Sequence, residues 1–101
     1  MIENTDIPQV YRDLAVLKRV MTSADISPED RIARLQPLLV PGNPFRLLAV
    51  EQRALAEAEM GQTDAAIESL QGILADADRT EDLRRRAQRL IVALGGSIEN
   101  G

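Results

Sequence analysis

The sequence contains no cysteine, no histidine and no tryptophan, and only 2% of its residues are aromatic. Without cysteine the chain has no disulfides, no thiol chemistry and no cysteine-ligated zinc, but both a reducing cytosol and an oxidising periplasm remain open to it. Without histidine it lacks the commonest general base and metal ligand. Hydrophobic residues make up 45% of the chain, so the core must be built mainly from leucine, isoleucine, valine and alanine.

Positive charge is also scarce. The 12 lysines and arginines face 16 aspartates and glutamates, which gives a net charge of −4. Sequence-independent nucleic-acid binding needs clustered lysines and arginines in excess, so it is not expected. No apolar run approaches the roughly 18 residues of a membrane span, and no secretory signal opens the chain. The length of 101 residues predicts a single domain.

What the sequence does contain is a repeat. Residues 11–16 (YRDLAV) recur as residues 45–50 (FRLLAV), a shift of 34 residues, and Arg19 and Arg53 match at the same shift. A weaker third copy lies at residues 83–87. A period of 34 is the length of a tetratricopeptide repeat, in which pairs of antiparallel helices stack into a solenoid. Such repeats typically act as binding scaffolds.

Apolar residues at helical spacing, divided by start and stop signals, predict five helices. Residues 8–40 form a first predicted hairpin, residues 44–76 a second, and residues 80–95 a capping helix. Frayed tails are expected at residues 1–6 and 97–101. No segment alternates as a strand does. The predicted fold is therefore all-α: one tetratricopeptide-like α-solenoid domain over residues 1–101, with two helical hairpins plus a C-terminal capping helix.

Several residues set the predicted helix ends. Ser27 and Thr80 are predicted N-caps of the second and fifth helices. Pro37 removes a helical hydrogen bond, so the second helix should be short, with an irregular or 3₁₀ turn near its end. The third helix is predicted to begin at Pro44, after a cap at the preceding asparagine, and to run to Met60.

Residues 60–74 (MGQTDAAIESLQGIL) resemble the turn and second helix of a tetratricopeptide repeat. The positions that match the family's small, turn or apolar residues are Ala54, Gly61, Ala66, Leu70 and Ile73. Other positions depart from the pattern, namely Arg53, Glu57, Asp78 and Arg84. The repeat is therefore a divergent one.

Four short motifs extend the resemblance: residues 10–15 (VYRDLA), 34–38 (RLQPL), 41–46 (PGNPFR) and 83–87 (LRRRA). Their order resembles the C-terminal half of YfgM-like proteins, bacterial proteins with a cytoplasmic stub, one membrane helix and a periplasmic tetratricopeptide-like domain. The resemblance implies an ancillary role at the SecYEG translocon, beside periplasmic chaperones. It also implies an anchored parent protein, of which this chain is either a trimmed piece or a soluble relative.

In solenoids of this kind the first helices of each pair line a concave groove, which is the usual binding surface. The helix register predicts six groove residues: Leu14, Leu17, Glu51, Leu55, Arg85 and Arg89. Each of them could instead belong to the core, and the register alone does not decide between the two. The carboxylate-clamp pattern of chaperone-tail binders is absent from these positions.

Arginines at helix starts form a second pattern. Arg12, Arg46 and Arg84 each lie in a predicted first turn, where a cation opposes the helix dipole. Each therefore predicts a carboxylate partner, expected on the preceding helix, or else a ligand contact. The arginines within residues 84–89 form either a solvated face balanced by the two preceding acids or a docking patch for an acidic peptide or a lipid headgroup.

The acidic residues carry no catalytic or metal signature. Residues 76–82 lack the glycine and the terminal glutamate of a calcium loop. Glu57 and Glu59 are two residues apart on a helix, so they point to different faces. No phosphate loop, nucleophile elbow or triad can be found. We therefore expect no enzyme, no metal and no cofactor.

The expected function is a protein–protein interaction scaffold. By resemblance it lies at the periplasmic face of the bacterial inner membrane, with translocon subunits or periplasmic chaperones as partners. Two alternatives stay open: a cytoplasmic location, and a homo-oligomerising structural module. The second arises because no preceding repeat covers the outer apolar residues of the first helix, namely Ile2, Ile7, Val16 and Val20.

Overall fold

The computed structural model describes residues 8–22 and 24–96, which form five α-helices and one 3₁₀ turn, with no strand among them. The helices are α1 (Gln9–Thr22), α2 (Pro28–Leu35), α3 (Arg46–Glu59), α4 (Thr63–Ala75) and α5 (Glu81–Ala93). The prediction of an all-α chain with five helices is confirmed. The predicted tails at residues 1–6 and 97–101 lie outside the described residues. None of the described helices is long and apolar enough to cross a membrane.

Local signals set most of the helix ends as predicted. The Ser27 hydroxyl accepts a hydrogen bond from the Asp30 amide at 3.2 Å, which caps α2. The Thr80 hydroxyl caps α5 in the same way. Helix α2 stops at its eighth residue and continues as a 3₁₀ turn over Gln36–Leu38. This confirms the effect expected of Pro37, which removes the amide that a continuing α-helix needs.

The start of α3 differs from the prediction. The helix begins at Arg46, two residues after Pro44. The reason lies in the Asn43 side chain, whose carbonyl oxygen accepts a hydrogen bond from the Phe45 amide at 2.8 Å and so holds a turn there. The side-chain amide nitrogen of Asn43 donates to the buried Asp13 carboxylate at 2.9 Å. The asparagine therefore fixes this loop against α1.

The core consists of two clusters that meet at α3. The first joins α1, α2, the 3₁₀ turn and α3, through Leu17, Val20, Leu35, Leu38 and Ala49. The second joins α3, α4 and α5, through Ala54, Ala66, Leu70, Ile73, Leu83, Ala87 and Ile91. Leu48 of α3 packs against both clusters. Helix α3 is therefore the central element, and its alanines allow the neighbouring helices to approach closely.

Long-range polar contacts tie the helix pairs together. Asn43 contacts Asp13 of α1, and Asp76, which follows α4, contacts Arg46 of α3 at 2.8 Å; each pair is 30 residues apart in sequence. Each contact brings the segment after a second helix back to the first helix of the same pair. Each contact forms a junction within its own helix pair, but the two junctions join different side-chain types and do not fall on matching positions of the 34-residue repeat.

Two of the three arginines at helix starts, Arg46 and Arg84, have carboxylate partners, but at other places than expected. The partner of Arg46 follows α4 instead of lying on the preceding helix. The partner of Arg84 is Glu81, one turn back on the same helix. Both arrangements place a carboxylate beside a cation that the helix dipole disfavours. Arg86, for which no partner was predicted, donates two hydrogen bonds to Glu51 of α3, at 2.8 and 3.0 Å.

The Arg46–Asp76 contact gives a pH-dependent prediction. The Asp78 amide and the Arg46 guanidinium both donate to Asp76 and hold the pKa of its carboxyl below its ordinary value. A lowered pKa in the folded state contributes stability above the ordinary pKa of about 3.9, and that contribution is lost as the pH falls through the folded value. Asp76→Asn, which keeps the acceptor for the Asp78 amide, should therefore destabilise the protein at pH 7.

Urea unfolding of the wild type and of Asp76→Asn from pH 7 downwards tests this prediction. The difference in unfolding free energy should shrink once the pH drops below about 4. A difference that stays constant down to the lowest pH at which both proteins fold would mean that the charge of Asp76 has no role at the junction.

Candidate partner-binding cleft

A cleft of about 640 Å³ opens between the ends of α1 and α3 and the start of α2. Its apolar wall comes from Val20 and Met21 of α1 and from Leu55 and Ala58 of α3. Met21 is 55% exposed. Methionine is flexible and polarisable and adapts to different apolar partners. The wall can therefore accept an apolar side chain of a bound segment.

The rim of this cleft is polar. Gln52, Leu55 and Glu59 follow at spacings of three and four residues, so they lie on one face of α3. The Arg31 guanidinium of α2 donates a hydrogen bond to Glu59, and this bond holds the pKa of the Glu59 carboxyl below its ordinary value. The Gln52 side chain makes no hydrogen bond with another described residue, so its donor and acceptor are available to the backbone of a bound segment.

A second cleft, of about 550 Å³, lies between the starts of α3 and α5. Four charged residues line it: Arg46, Asp78, Asp82 and Arg86. The arginines are engaged inside the protein, Arg46 with Asp76 at 2.8 Å and Arg86 with Glu51 at 2.8 Å. This cleft therefore offers fewer free donors than its composition suggests.

The six residues predicted for one groove lie in different environments. Leu17 is in the core, with 3% of its surface exposed, and Leu14 is half-buried. Glu51 is 6% exposed and is held by Arg86, so neither it nor Leu17 is available to a partner. Leu55 lines the larger cleft. The structure does not bring these four residues together at one accessible surface.

The other two predicted residues lie elsewhere. Arg85 and Arg89 are exposed on α5, where they line a shallow depression together with Val92. Arg85 lies 3.8 Å from Glu81 and 3.7 Å from Asp82, as the solvated-face interpretation predicts. No carboxylate among the described residues forms an ion pair with Arg89. These two arginines therefore do not belong to the cleft that contains Leu55.

Of the nine residues that line the larger cleft, sequence reasoning predicted only Leu55, and the polar or exposed residues that it missed include Met21, Arg31, Gln52 and Glu59. The Arg31–Glu59 pair spans 28 residues, and nothing in the local pattern of either helix indicates it. Glu57 and Glu59 do face different partners, as their spacing predicts. Glu57 accepts a hydrogen bond from Ser69 at 3.0 Å, while Glu59 accepts one from Arg31.

The resolved pKa shifts of carboxyl groups in and near the clefts have simple hydrogen-bonding causes. The lowered pKa values at Glu59 and Glu81 arise from hydrogen bonds donated by Arg31 and Arg84. No group of three or more potential metal ligands is found within residues 8–22 and 24–96. No protein-family model, curated protein or solved structure matches this chain.

Proposed function

We propose that this chain is a non-catalytic protein–protein interaction scaffold that binds a segment of a partner protein in the cleft between α1 and α3. The observation that carries the proposal is the composition of that cleft. It combines an exposed methionine, a leucine side chain and an uncommitted Gln52 amide in one volume of about 640 Å³. An apolar wall lies next to a side-chain amide that can form hydrogen bonds with a peptide backbone. This combination suits a peptide, which presents apolar side chains and backbone amides together.

The proposed architecture is a tetratricopeptide-like α-solenoid of two hairpins and a capping helix. Two contacts across 30 residues support it, because each ties the segment after a second helix to the first helix of the same pair. So do the two core clusters that follow one another along the chain and share Leu48. The radius of gyration of 14.6 Å exceeds the value of about 13 Å typical of a compact domain of this length. An elongated stack of helices has this property.

The partner class rests on the resemblance to YfgM-like proteins. We propose that the chain belongs to a membrane-anchored protein at the periplasmic face of the bacterial inner membrane, where it assists the secretion translocon or periplasmic chaperones. The exposed cleft agrees with that role. A cytoplasmic location is the alternative, and fractionation of cells that express the native gene distinguishes the two.

Leu55→Glu tests the scaffold function directly. Leu55 is half-buried in the cleft wall, so a carboxylate there removes apolar contact and adds a charge that a bound apolar side chain would desolvate. We expect the variant to bind purified translocon or purified periplasmic chaperone about 100-fold more weakly than the wild type, which corresponds to roughly 2.7 kcal/mol. Biolayer interferometry with the immobilised domain measures this change.

Val92→Glu is the matched control for this experiment. Val92 is also a partly exposed apolar residue on a helix, but it lies on α5, outside the cleft. Its variant should bind as the wild type does, and both variants should keep the helical circular dichroism spectrum. If the two variants lose affinity equally, the cleft is not the binding site. If neither the wild type nor the variants bind, the translocon and the periplasmic chaperones are not the partners.

A homo-oligomerising module is the second candidate. On α1, Tyr11 is 63% exposed, and Ala15 and Val16 line a shallow apolar depression of about 300 Å³ between arginines. Of the other apolar residues expected on this edge, Val20 is buried in the core, and Ile2 and Ile7 lie outside the described residues. Light scattering over a hundredfold range of concentration decides: a mass that rises with concentration favours the module, and a constant monomer mass excludes it.

A further inference from the structure

A crevice of about 210 Å³ between α3 and α4 contains Arg53, which forms no ion pair with another described residue. The Arg53 guanidinium makes one hydrogen bond, from Nη2 to the Ser69 hydroxyl at 3.3 Å. None of the ion pairs in the described part of the chain includes it. Its Nε–H is buried and has no partner. Arg31 in the larger cleft also has a buried Nε without a partner, but both Arg31 and Arg46 form an ion pair with a carboxylate.

A buried polar group without a partner destabilises a protein, so it requires an explanation. The neighbouring arginine in the crevice, Arg46, donates a hydrogen bond to the Asp76 carboxylate at 2.8 Å. Arg53 forms no such bond with a carboxylate of the described residues, although Glu57 is close enough to accept a hydrogen bond from the same Ser69 hydroxyl at 3.0 Å. The guanidinium is therefore left with donors that an external acceptor could satisfy after a small change of rotamer.

A second observation concerns the wall of the same crevice. Gly72 lies inside α4, where glycine costs about 1 kcal/mol relative to alanine. A Cβ atom placed at Gly72 would meet nothing within 4 Å. Packing inside the protein therefore does not require glycine at this position. What a methyl group at position 72 would reduce is the open volume of the crevice.

The surrounding charges select the ligand. Glu57 and Glu68 lie beside the crevice and repel every anion, but they repel a multiply charged one such as phosphate more strongly than a single carboxylate. A single carboxylate carries one charge and matches the planar fork of a guanidinium with two parallel hydrogen bonds. We propose that the Arg53–Gly72 crevice is a binding site for a peptide carboxylate, supplied by a chain terminus or by an acidic side chain. This site is separate from the cleft between α1 and α3 and does not depend on it.

The Nε–Hε resonance of Arg53 in a proton–nitrogen correlation spectrum reports occupancy directly. We expect it to shift saturably with N-acetyl-trialanine, which has a free terminal carboxylate, and not with the C-terminal amide of the same peptide. N-acetyl-glutamate α-amide tests the acidic side chain as the alternative source of the carboxylate. Inorganic phosphate at matched ionic strength should bind more weakly than either acid.

Two variants complete the test. Arg53→Lys keeps the charge and the aliphatic stem but loses the fork, so its affinity for the acid, followed through the Ser69 and Gly72 amide resonances, should fall about tenfold or more. Gly72→Ala should raise the thermal midpoint and lower the affinity by a similar factor. Equal shifts with the acid and the amide, tighter binding of phosphate, or unchanged affinity in either variant would overturn the proposal.

Discussion

Leu70→Ala is expected to lower the free energy of unfolding by about 2–5 kcal/mol, because it leaves a cavity in the buried core. The Leu70 side chain is 1% exposed and lies in the cluster that joins α3, α4 and α5. Its neighbours Ala54, Ala66 and Ala87 are small and held on three different helices, so they cannot move far enough to fill the cavity. Chemical denaturation monitored by circular dichroism measures the loss.

The size of this effect matters because a domain of this kind has only about 5–15 kcal/mol of total stability. Val92→Ala provides the control, since the Val92 side chain is 57% exposed and its truncation should change the unfolding free energy by no more than about 0.5 kcal/mol. Similar losses in the two variants would mean that the cluster around Leu70 is not a packed core.

The second large effect is expected at the ion pair between α3 and α5. Glu51 is buried, while the Arg86 side chain is 43% exposed. Arg86→Met removes the only cation bound to the Glu51 carboxylate among the described residues and leaves a charge out of contact with water. Since half of the pair already reaches solvent, we expect a loss of about 2–3 kcal/mol, below the range for fully buried pairs.

Glu51→Gln is the matched control, because it keeps the size of the side chain and one acceptor for Arg86. The arginine can then turn towards water, so the loss should be about 1 kcal/mol. The double variant should lie near Glu51→Gln, since no buried charge remains in it. Urea titration of the four proteins gives these values. A larger loss from Glu51→Gln than from Arg86→Met would contradict the asymmetry that the burial of Glu51 implies.

Local chemistry explains how much of the fold the sequence predicts. Ser27, Thr80 and Gly61 act within one turn of their own positions, so their effects on helix ends need no knowledge of the partner helix. The same holds for Pro37, which ends α2 through its own missing amide. The predicted start of α3 at Pro44 is wrong because a long-range contact, not a local signal, shapes the loop before it. Asn43 also bonds Asp13, and only the packed chain brings those two residues together.

The candidate site could be predicted only in part, for a related reason. Of the residues expected in a groove, Leu55 does line the larger cleft, because its position on α3 follows from helix periodicity. Met21, Arg31 and Glu59 come to this cleft from three helices, and their approach depends on crossing angles and loop paths. Glu51 shows the reverse case: its periodicity suggests an accessible face, but Arg86, 35 residues away, covers it.

The position of α3 links fold and function. This helix contributes to both core clusters and also supplies Gln52, Leu55 and Glu59 to the cleft. The side chains that would contact a partner are thus held by a helix that is fixed on two sides. A rigid binding element loses less conformational entropy when a partner binds, which favours affinity from a small surface.

Site-specific photocrosslinking tests the central claim most directly. A photoreactive phenylalanine analogue replaces Met21 in the cleft, and in a second protein it replaces Gln71, which is exposed on α4 away from the cleft. The scaffold proposal predicts that the Met21 probe crosslinks purified translocon or periplasmic chaperone and that excess unlabelled domain suppresses the product, while the Gln71 probe gives none. Crosslinking from Gln71 alone, or from neither position although the two proteins bind, would contradict the proposal.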